Sequence, residues 1–579
     1  MVSARGVGHH GSTLERGALS RRPVSGLPEL ELRGRVARWQ GFEWVILALL
    51  ICAGFWLRAR GLSRLGFADD EIHKWLAANR YLQGDFGGDD VEHPMLMKWL
   101  IALCIEVGRK LHWAPETMVR APNVLAGTAS IWAVAQLGRR TFGKLAGLWA
   151  AGLAAFSTTF IGYQRVGKED TLLGLFLMLL LWCAAEAKAA ADDQDTRAQR
   201  RWEYLGAASL GAMLASKYFL FFAPIPVVFY LSMLPQSRWR IRVRRWFWLV
   251  AVSFAVFAVL NWTPFMPSNW AYGMSYTSGK QTIHGSLFFM GDLFHNLTGH
   301  WLAGTPPWFY LVFAAVKLSP LTVVTAAGGL GLAIWMRRPA HRLMLSWTGV
   351  WFVILSTAGS KWGRFFTSVL PAFLLLSGYF TAQLLSWWSS RRASAEVAEG
   401  RRSAAARSPR LAAVAMVTLL LWGAEVQASL RMGPHYRLYI NAFGGGNRNV
   451  DWFFPHCDYF DAGFREAMAY IAEHAEPNAE LSTEIDWVAR YYAERFGRPD
   501  LAQSLVRRGE SCRGGQTCYV VVQTGRYYFI NKEAVDNLQR LEPWHVETIR
   551  GREVVRVYRL SPGESPFPEE SLARTEVSP

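Results

Sequence analysis

Long apolar runs recur along most of the chain, and short clusters of arginine separate them. Four clear examples are "WVILALLICAGFWL" (44–57), "LLGLFLMLLLWCAA" (172–185), "FWLVAVSFAVFAVLNW" (247–262) and "LMLSWTGVWFVILSTA" (343–358). Several are shorter than the roughly 20 residues that a bilayer-spanning helix needs, so we expect flanking Trp, Gly and Ser to extend them. The pattern predicts a polytopic α-helical membrane protein.

The arginine clusters predict the topology, because short basic loops stay in the cytoplasm. With every basic loop placed there, the chain has about eleven transmembrane helices. They fall at 41–58, 119–138, 144–163, 171–189, 203–217, 218–235, 246–263, 319–336, 343–359, 365–388 and 411–428. Two more apolar stretches, "MLMKWLIALCIEVG" (95–108) and "PPWFYLVFAAVKL" (306–318), must then lie flat on the outer surface as juxtamembrane helices.

This topology divides the chain into three parts. Residues 1–40 form a basic cytoplasmic tail that we expect to be disordered. Residues 41–428 form the membrane domain, with large external loops at 59–118 and 264–318. Residues 429–579 have the composition of a soluble domain and are predicted to be extracytoplasmic.

The C-terminal part has an α/β pattern. Residues 461–475 have helical periodicity, whereas "CYVVVQTG" (518–525) and "REVVRVYRL" (552–560) resemble strands. Cys512 and Cys518 flank a turn-like segment, so they form either a hairpin disulfide or two free thiols.

The formal net charge of +17 would suit a protein that binds nucleic acid. Here, however, the arginines lie in short loops between apolar runs, where they set the topology. We therefore expect the lipid bilayer as a partner and no nucleic acid.

A second group of charged residues is not explained by topology, and all of its members fall on the predicted outer side. They are Asp69, Asp70, Glu71, Glu92, His93, Lys98, Arg165, Lys168, Glu169, Asp170, Lys217, His284, Lys317, Lys361 and Arg364. Any one of them alone is explained by a side chain that reaches the interface. Together they suit transfer from an anionic lipid carrier, because cations hold a phosphate and a carboxylate takes the proton of an attacking acceptor.

Several motifs support this chemistry by resemblance. "ADDEIHKW" (68–75) followed by "EHPMLMKWLIAL" (92–103) resembles the first external loop of GT-C glycosyltransferases of family 39. That family includes protein O-mannosyltransferases and bacterial lipid A aminoarabinose transferases. "QRVGKEDTLL" (164–173), "TIHGSLFFMGD" (282–292), "PPWFYLVFAAVKLSPL" (306–321) and "KWGRFFTSVLPAF" (361–373) resemble later elements of the same family, and "YINAFGGG" (439–446) and "FPHCDYFDAGFREAMAYI" (454–471) resemble the start of its external domain. Met95, Ser319 and Phe365 depart from its pattern.

The resemblance implies a polyprenyl-phosphate sugar donor and inverting transfer on the extracytoplasmic side. Asp70 matches the catalytic carboxylate and Glu71 its partner, whereas Asp69 is extra. The residues implied for donor and phosphate binding are His93, Lys98, Arg165, Lys168, Asp170, His284, Lys317, Lys361 and Arg364, with Lys217 as a further candidate. We expect Lys361 and Arg364 to act as a pair, since residues i and i+3 at a helix end share a face.

Cofactors remain open. Asp69 and Asp70, with Glu71, His93 and His284, could hold a divalent metal ion, but their spacing does not define a tight ligand set.

The sequence therefore predicts a membrane glycosyltransferase of GT-C type in a bacterial inner membrane. A transporter or lipid flippase is the alternative, and it would place charges at helix midpoints and show paired repeats. A non-catalytic scaffold would leave the acids and cations on the outer side unexplained. The sugar, the acceptor (protein, lipid or glycan) and the oligomeric state are not defined by the sequence.

Overall fold

The computed structural model describes residues 39–87, 90–235, 237–271, 274, 285–398 and 407–567. Nearly all of the predicted tail, residues 1–38, lies outside the described residues, and so does His284.

Helices form at each of the positions predicted to cross the membrane. They are Gly41–Ala59, Pro115–Phe142, Lys144–Phe156 with Thr158–Tyr163, Asp170–Asp192, Thr196–Ser216, Pro224–Met233, Val243–Leu260, Pro320–Met336, Pro339–Thr357, Leu370–Ala398 and Arg407–Met432. By length and composition alone, five described segments could each span a membrane: Gly41–Arg64, Asp170–Asp192, Val243–Leu260, Leu370–Arg392 and Leu411–Met432. Pro320–Met336 and Pro339–Thr357 meet at a bend of 118° and together pass the same test. The protein is a multi-pass membrane protein, and the number of eleven spans stays a prediction.

Glycine permits the closest packing between these helices. A Cβ added to Gly138 would lie 2.7 Å from Cα of Gly147, so helices Pro115–Phe142 and Lys144–Phe156 touch through their backbones. Small residues allow this approach in membranes, where no hydrophobic effect drives helices together. The tight bundle fixes the helix ends from which the polar side chains described below project.

Shorter helices join the bundle at one end. Helix Asp69–Leu82 follows the first long helix, and helices form at both segments predicted to lie flat, Met95–Lys110 and Phe309–Lys317. Asn261 anchors one of them, because its Oδ1 accepts from the backbone N of Met95 at 2.7 Å.

The C-terminal domain is α/β, as the sequence predicts. The strands of the chain are β1 (Ser286–Phe289), β2 (Asp292–His295), β3 (Glu480–Thr483), β4 (Ala502–Leu505), β5 (Cys518–Gln523), β6 (His545–Ile549) and β7 (Arg552–Leu560). The last five form one mixed sheet in the order β4-β3-β5-β7-β6, and β1 with β2 is a separate hairpin. Helix Phe464–His474 precedes β3, and helices Asp486–Arg495 and Lys532–Leu538 connect strands of the sheet. Cys512 and Cys518 form a disulfide that leads into β5.

The domain packs directly on the short helices. The hydroxyl of Tyr492 accepts from the backbone N of Phe67 at 2.7 Å, immediately before helix Asp69–Leu82. Arg495 pairs with Glu116 at 2.9 Å. The three acids that open helix Asp69–Leu82 therefore lie where the membrane domain meets the C-terminal domain.

Candidate active site

The three consecutive acids point in three directions. Helix Asp69–Leu82 begins at the first of them, and successive side chains on a helix are about 100° apart. Asp69 faces the C-terminal domain, Asp70 faces a group of cations, and Glu71 points into the protein interior. The three acids of one motif therefore lie in three different environments.

Asp70 lies between two cations that come from different helix ends. Its Oδ1 is 2.6 Å from Nζ of Lys168, and its Oδ2 is 3.5 Å from a terminal nitrogen of Arg364. Lys168 precedes helix Asp170–Asp192, and Arg364 lies in the 3-10 helix Gly363–Ser368. Asp70 keeps 29% of its side-chain surface exposed, so a substrate can approach it.

The turn that carries Lys168 is held in place from the neighbouring helix. Asn123 donates from its side chain to the carbonyl oxygen of Lys168 at 2.7 Å. The backbone N of Gly167 donates to Oε1 of Glu71 at 2.8 Å. A Cβ on Gly167 would lie 2.4 Å from a methyl group of Val119, so this close approach requires glycine.

Asp170 connects two further cations. Its Oδ1 accepts from Nζ of Lys217 at 2.6 Å, and its Oδ2 lies 3.7 Å from Nε of Arg364. The Lys217 ammonium also lies 4.4 Å from the ring centre of Phe365, one of the residues that depart from the family pattern. Asp170, which the resemblance placed among the donor-binding residues, therefore contacts two cations of the site.

A second layer of charges lies behind Asp70. Nζ of Lys74 is 2.7 Å from Glu169 and 3.5 Å from Asp90. Asp90 also lies 2.8 Å from Nδ1 of His93 and 3.7 Å from Nζ of Lys98. Sequence reasoning missed Lys74 and Asp90. The available signal for Lys74 was its position, one helical turn after Asp70.

These contacts define the charge cluster of the site, which consists of Lys74, Lys98, Lys168, Lys217, Arg364, Asp70, Asp90, Glu169 and Asp170. Burial alone would raise the pKa of Asp70, but Lys168, Arg364 and Lys74 outweigh it and hold this pKa well below its usual value. The same competition lowers the pKa of Asp90. Because five cations surround four carboxylates, the cluster has one positive charge in excess, which suits an anionic ligand.

Glu71 has a different environment from Asp70. It is buried and accepts from Nε of Arg120 at 2.8 Å, from the backbone N of Gly167 and from the backbone N of Ala68. Arg120 also donates to the carbonyl oxygen of Leu65 at 2.8 Å. In this arrangement, both carboxylate oxygens of Glu71 bind protein groups.

Three predicted phosphate contacts lie outside the charge cluster. Arg165 donates to the carbonyl oxygen of Arg60 at 2.7 Å, and Lys317 pairs with Asp458 at 2.8 Å with no exposed surface on either side chain. Lys361 donates to the carbonyl oxygen of Thr305 at 2.7 Å, and burial lowers its pKa to about 8.

The expected pairing of Lys361 with Arg364 is also not what the structure shows. Lys361 precedes the 3-10 helix, which begins only at Gly363. The two side chains therefore do not share one helical face: Lys361 binds backbone carbonyl groups, and Arg364 extends to Asp70 and Asp170.

Comparison with known proteins agrees with this architecture. The family model described as dolichyl-phosphate-mannose-protein mannosyltransferase matches residues 92–262. ArnT from Cupriavidus metallidurans, in a structure bound to undecaprenyl phosphate, aligns at 15% identity over 89% of this chain and 98% of that chain, with a TM-score of 0.52. The oligosaccharyltransferase AglB from Archaeoglobus fulgidus, in complex with an inhibitory peptide and a dolichol-phosphate, aligns at 12% identity over 83% of this chain and 69% of that chain, with a TM-score of 0.51. No curated protein matches the sequence.

The chain has the GT-C glycosyltransferase fold. The resemblance seen in the sequence motifs is thereby confirmed. Within this GT-C protein, the matched residues 92–262 include His93, Lys98, Lys168, Asp170 and Lys217.

One group of residues in the GT-C chain could hold a metal ion. Among the residues that the structure describes, ligand atoms of Asp90, Glu92 and His93 lie within 4.8 Å of one another. The ammonium groups of Lys74 and Lys98 lie 3.5 and 3.7 Å from Asp90 and already compensate its charge. This set therefore fits a divalent cation poorly. The acids first considered, Asp69 to Glu71, diverge from one another.

A large apolar cavity of about 740 Å³ lies among four helices of the GT-C bundle. The helices are Asp170–Asp192, Thr196–Ser216, Pro224–Met233 and Val243–Leu260. Its lining includes Leu180, Leu210, Phe257 and Tyr218. Tyr218 directly follows Lys217, the cation bound to Asp170, so one residue of the lining is the chain neighbour of a member of the charge cluster.

Proposed function

We propose that this protein transfers a sugar from a polyprenyl-phosphate donor to an acceptor on the extracytoplasmic side of a bacterial inner membrane, with inversion at the sugar. Asp70 is the general base. The observation that carries the proposal is the position of Asp70, an accessible carboxylate held ionised between Lys168 and Arg364.

The phosphate of the donor binds the cations around Asp70. Lys168, Arg364 and Lys217 face this region, and guanidinium and ammonium groups are the usual protein contacts of a phosphate. The polyprenyl chain lies in the apolar cavity that begins at Tyr218. A lipid phosphate anchored in this way presents its sugar at the surface where Asp70 is exposed.

The reaction is a single displacement. The acceptor heteroatom attacks the anomeric carbon while the bond from that carbon to the phosphate oxygen breaks. Asp70 takes the acceptor proton, and the cations stabilise the charge on the departing lipid phosphate. One dominant carboxylate suffices for this chemistry, and Asp70 is the member of its motif that is both accessible and paired with the two cations.

Donor binding also activates the base. Without the phosphate, Lys168 and Arg364 are paired with Asp70, and their charges lower its pKa. A bound phosphate competes for both cations, so the pKa of Asp70 rises and the carboxylate becomes a stronger base. The enzyme is therefore fully active only after the donor is in place.

The remaining predicted residues act indirectly. His93 and Lys98 surround Asp90 and support the charge layer behind Asp70. Glu71, Arg165, Lys317 and Lys361 hold the backbone around the site, because each of them binds backbone groups or a buried partner. The description of the family model names a mannose carrier and a protein acceptor, so these are the first substrates to test.

The test uses purified protein and a panel of polyprenyl-phosphate sugars, with mass spectrometry of lipid and protein products from a membrane extract. We expect Asp70→Asn to lower turnover about 100- to 10,000-fold, the usual contribution of a general base, and to bind undecaprenyl phosphate as the wild type does. Asp85→Asn is the matched control, since Asp85 is an exposed acid of the same loop.

Near-normal turnover of Asp70→Asn would reject this base. Movement of intact donor lipid across vesicles, without sugar transfer by the wild type, would instead support the flippase alternative.

A further inference from the structure

We propose that the C-terminal domain positions the catalytic carboxylate, with Asp461 capping the helix that carries Asp70 and Arg526 holding the cap in place. This inference rests on the proposed role of Asp70. Asp461 and Arg526 are positioning residues, because they act on the reaction only through the helix.

The N-cap residue of the helix that carries Asp70 supplies no side-chain cap. This residue is Ala68, whose side chain cannot accept a hydrogen bond. The first N–H groups of a helix lack partners inside that helix. The backbone N of Asp69 instead donates to Oδ2 of Asp461 at 3.0 Å, from a residue 392 positions away in the sequence. A carboxylate at this position also interacts favourably with the helix dipole.

Asp461 is fixed rigidly in the C-terminal domain. Nε of Arg526 donates to its Oδ1 at 2.8 Å, and a terminal nitrogen of Arg526 donates to its Oδ2 at 2.6 Å, which makes a two-point contact. Gln523 donates to Oδ1 at 3.1 Å. Phe460 and Asp461 have φ values of +46° and +63°, a left-handed conformation that is unfavourable for residues with a side chain. The turn is therefore held by its surroundings in the shape that aims Asp461 at the helix.

Arg526 also reaches the helix itself. Another of its terminal nitrogens lies 3.6 Å from Oδ2 of Asp69. This contact gives Asp69, the residue that the family pattern leaves unexplained, a partner in the C-terminal domain. Since Asp69 and Asp70 are adjacent, the contacts that fix Asp69 also fix the direction in which Asp70 points.

The segment that contains Arg526 also reaches towards Arg364, one of the two cations paired with Asp70. The hydroxyl of Tyr528, two residues after Arg526, hydrogen-bonds Nδ1 of His456 at 2.9 Å. The ring of His456 packs on Trp362 with centroids 4.9 Å apart, and the guanidinium of Arg364 lies 4.7 Å from the Trp362 ring centre. Residues 526–528 thus contact the helix that carries Asp70. Through His456 they also reach the Trp362 ring on which Arg364 packs. A displacement of about 1 Å at a reacting group can cost about 100-fold in rate, so this arrangement matters for catalysis.

The experiment compares Asp461→Ala, Asp461→Asn and Arg526→Gln in the full-length protein. We expect Asp461→Ala to lower kcat about 10- to 100-fold. Its Kd for undecaprenyl phosphate should stay within about twofold of wild type, because the phosphate contacts are unchanged. Asp461→Asn should recover part of kcat, since its amide oxygen can still accept from the backbone N of Asp69, although it gives up one arm of the contact with Arg526. Arg559→Gln is the matched control: it breaks an exposed arginine–carboxylate pair of the same domain, with Glu476, which shares no residue with these contacts.

A double variant separates positioning from general damage. In an Asp70→Asn background, Asp461→Ala should cause no further loss of the residual rate, because its effect passes through Asp70. Should Asp461→Ala fail to fold, Arg526→Gln, which keeps Asp461, carries the test and should lower kcat at least about 10-fold.

Unchanged kcat in both Asp461→Ala and Arg526→Gln would overturn this inference. Equal losses for Asp461→Asn and Asp461→Ala would also contradict it. Both results differ from failure of the proposed function, which would appear as full activity of Asp70→Asn.

Discussion

At the scale of single residues, environment rather than residue type separates the three acids of "DDE" (69–71). Asp70 is partly exposed and paired with two cations, Glu71 is buried on Arg120, and Asp69 contacts Arg526. The same carboxylate chemistry therefore makes a cation pair, a buried ion pair and a domain contact within one helical turn. Substitutions at these three positions should have effects of different kinds.

The pH dependence of the reaction should report the cations around Asp70. They lower its pKa well below the ordinary value near 3.9, so wild-type kcat/KM for the donor should stay level down to about pH 5. Lys168→Gln removes one of these charges, which raises the pKa and protonates Asp70 at higher pH. We expect the acidic limb of kcat/KM, measured from about pH 4 to 8, to move upward in this variant. Lys110→Gln is the control. If the acidic limb does not shift in Lys168→Gln, Lys168 does not lower the pKa of Asp70.

Glu71 should affect stability before it affects chemistry. Glu71→Gln leaves the buried guanidinium of Arg120 without its counter-charge, and removal of one partner of such a pair costs about 3–5 kcal/mol. We expect Glu71→Gln to lower the thermal unfolding temperature in detergent clearly, whereas Asp70→Asn should leave it almost unchanged. If Glu71→Gln unfolds like the wild type and yet loses turnover, Glu71 takes part in the reaction itself.

At the scale of elements, the hydrophobic pattern predicts the helices well because burial and bilayer thickness both follow from local sequence. It predicts helix Phe464–His474 and strands β5 and β7 for the same reason. Side-chain direction at helix ends is different, because it depends on partners far away in the chain. Lys361 and Arg364 show this: their spacing suggests a shared face, but the 3-10 helix begins between them.

The parts of the site that the sequence could not predict are its long-range pairs. Nothing local connects Asp69 with Asp461, and Lys74 meets Glu169 only because two helix ends converge. Family resemblance identified Asp70, Lys168 and Arg364, which the structure brings together. It also included Lys317, which the structure places in a buried pair that joins two elements.

The Lys317–Asp458 pair should connect helix Phe309–Lys317 with the start of the C-terminal domain. Lys317→Met leaves Asp458 buried without its cation, so we expect a loss of about 3–5 kcal/mol in unfolding free energy. Burial already raises the pKa of Asp458 to about 6 even though Lys317 opposes it. Without Lys317 this pKa should rise further, so the deficit of the variant should shrink as pH falls towards about 6, where Asp458 becomes protonated in both proteins.

Denaturant unfolding in detergent, with Lys317→Met/Asp458→Asn as the matched double variant, measures this effect. The double variant should recover at least half of the loss, since it removes both charges together. If Lys317→Met is as stable as the wild type but binds undecaprenyl phosphate more weakly, Lys317 contacts the donor rather than stabilising the fold.

At the scale of the whole molecule, charge is separated along the helices. Arg-rich loops lie at one set of helix ends, such as the loop before helix Val243–Leu260, and the charge cluster lies at the other. The C-terminal domain contacts Asp69, the chain neighbour of Asp70, through Asp461 and Arg526. If the basic loops are cytoplasmic, Asp70, its cations and the whole C-terminal domain must share the extracytoplasmic side.

Cysteine labelling in intact cells tests this arrangement directly. Lys110, Asp193 and Glu542 are exposed and represent the first external loop, a basic loop and the C-terminal domain. In a background in which the free cysteines Cys52 and Cys104 are replaced, a membrane-impermeant maleimide should label Lys110→Cys and Glu542→Cys from outside. Asp193→Cys should react only after the cells are permeabilised, which also controls for its accessibility. Labelling of Asp193→Cys from outside would mean that the helix between Asp170 and Asp192 has the opposite orientation. Lys168 and Asp70 would then lie on the cytoplasmic side, where a donor presented at the outer surface could not reach them.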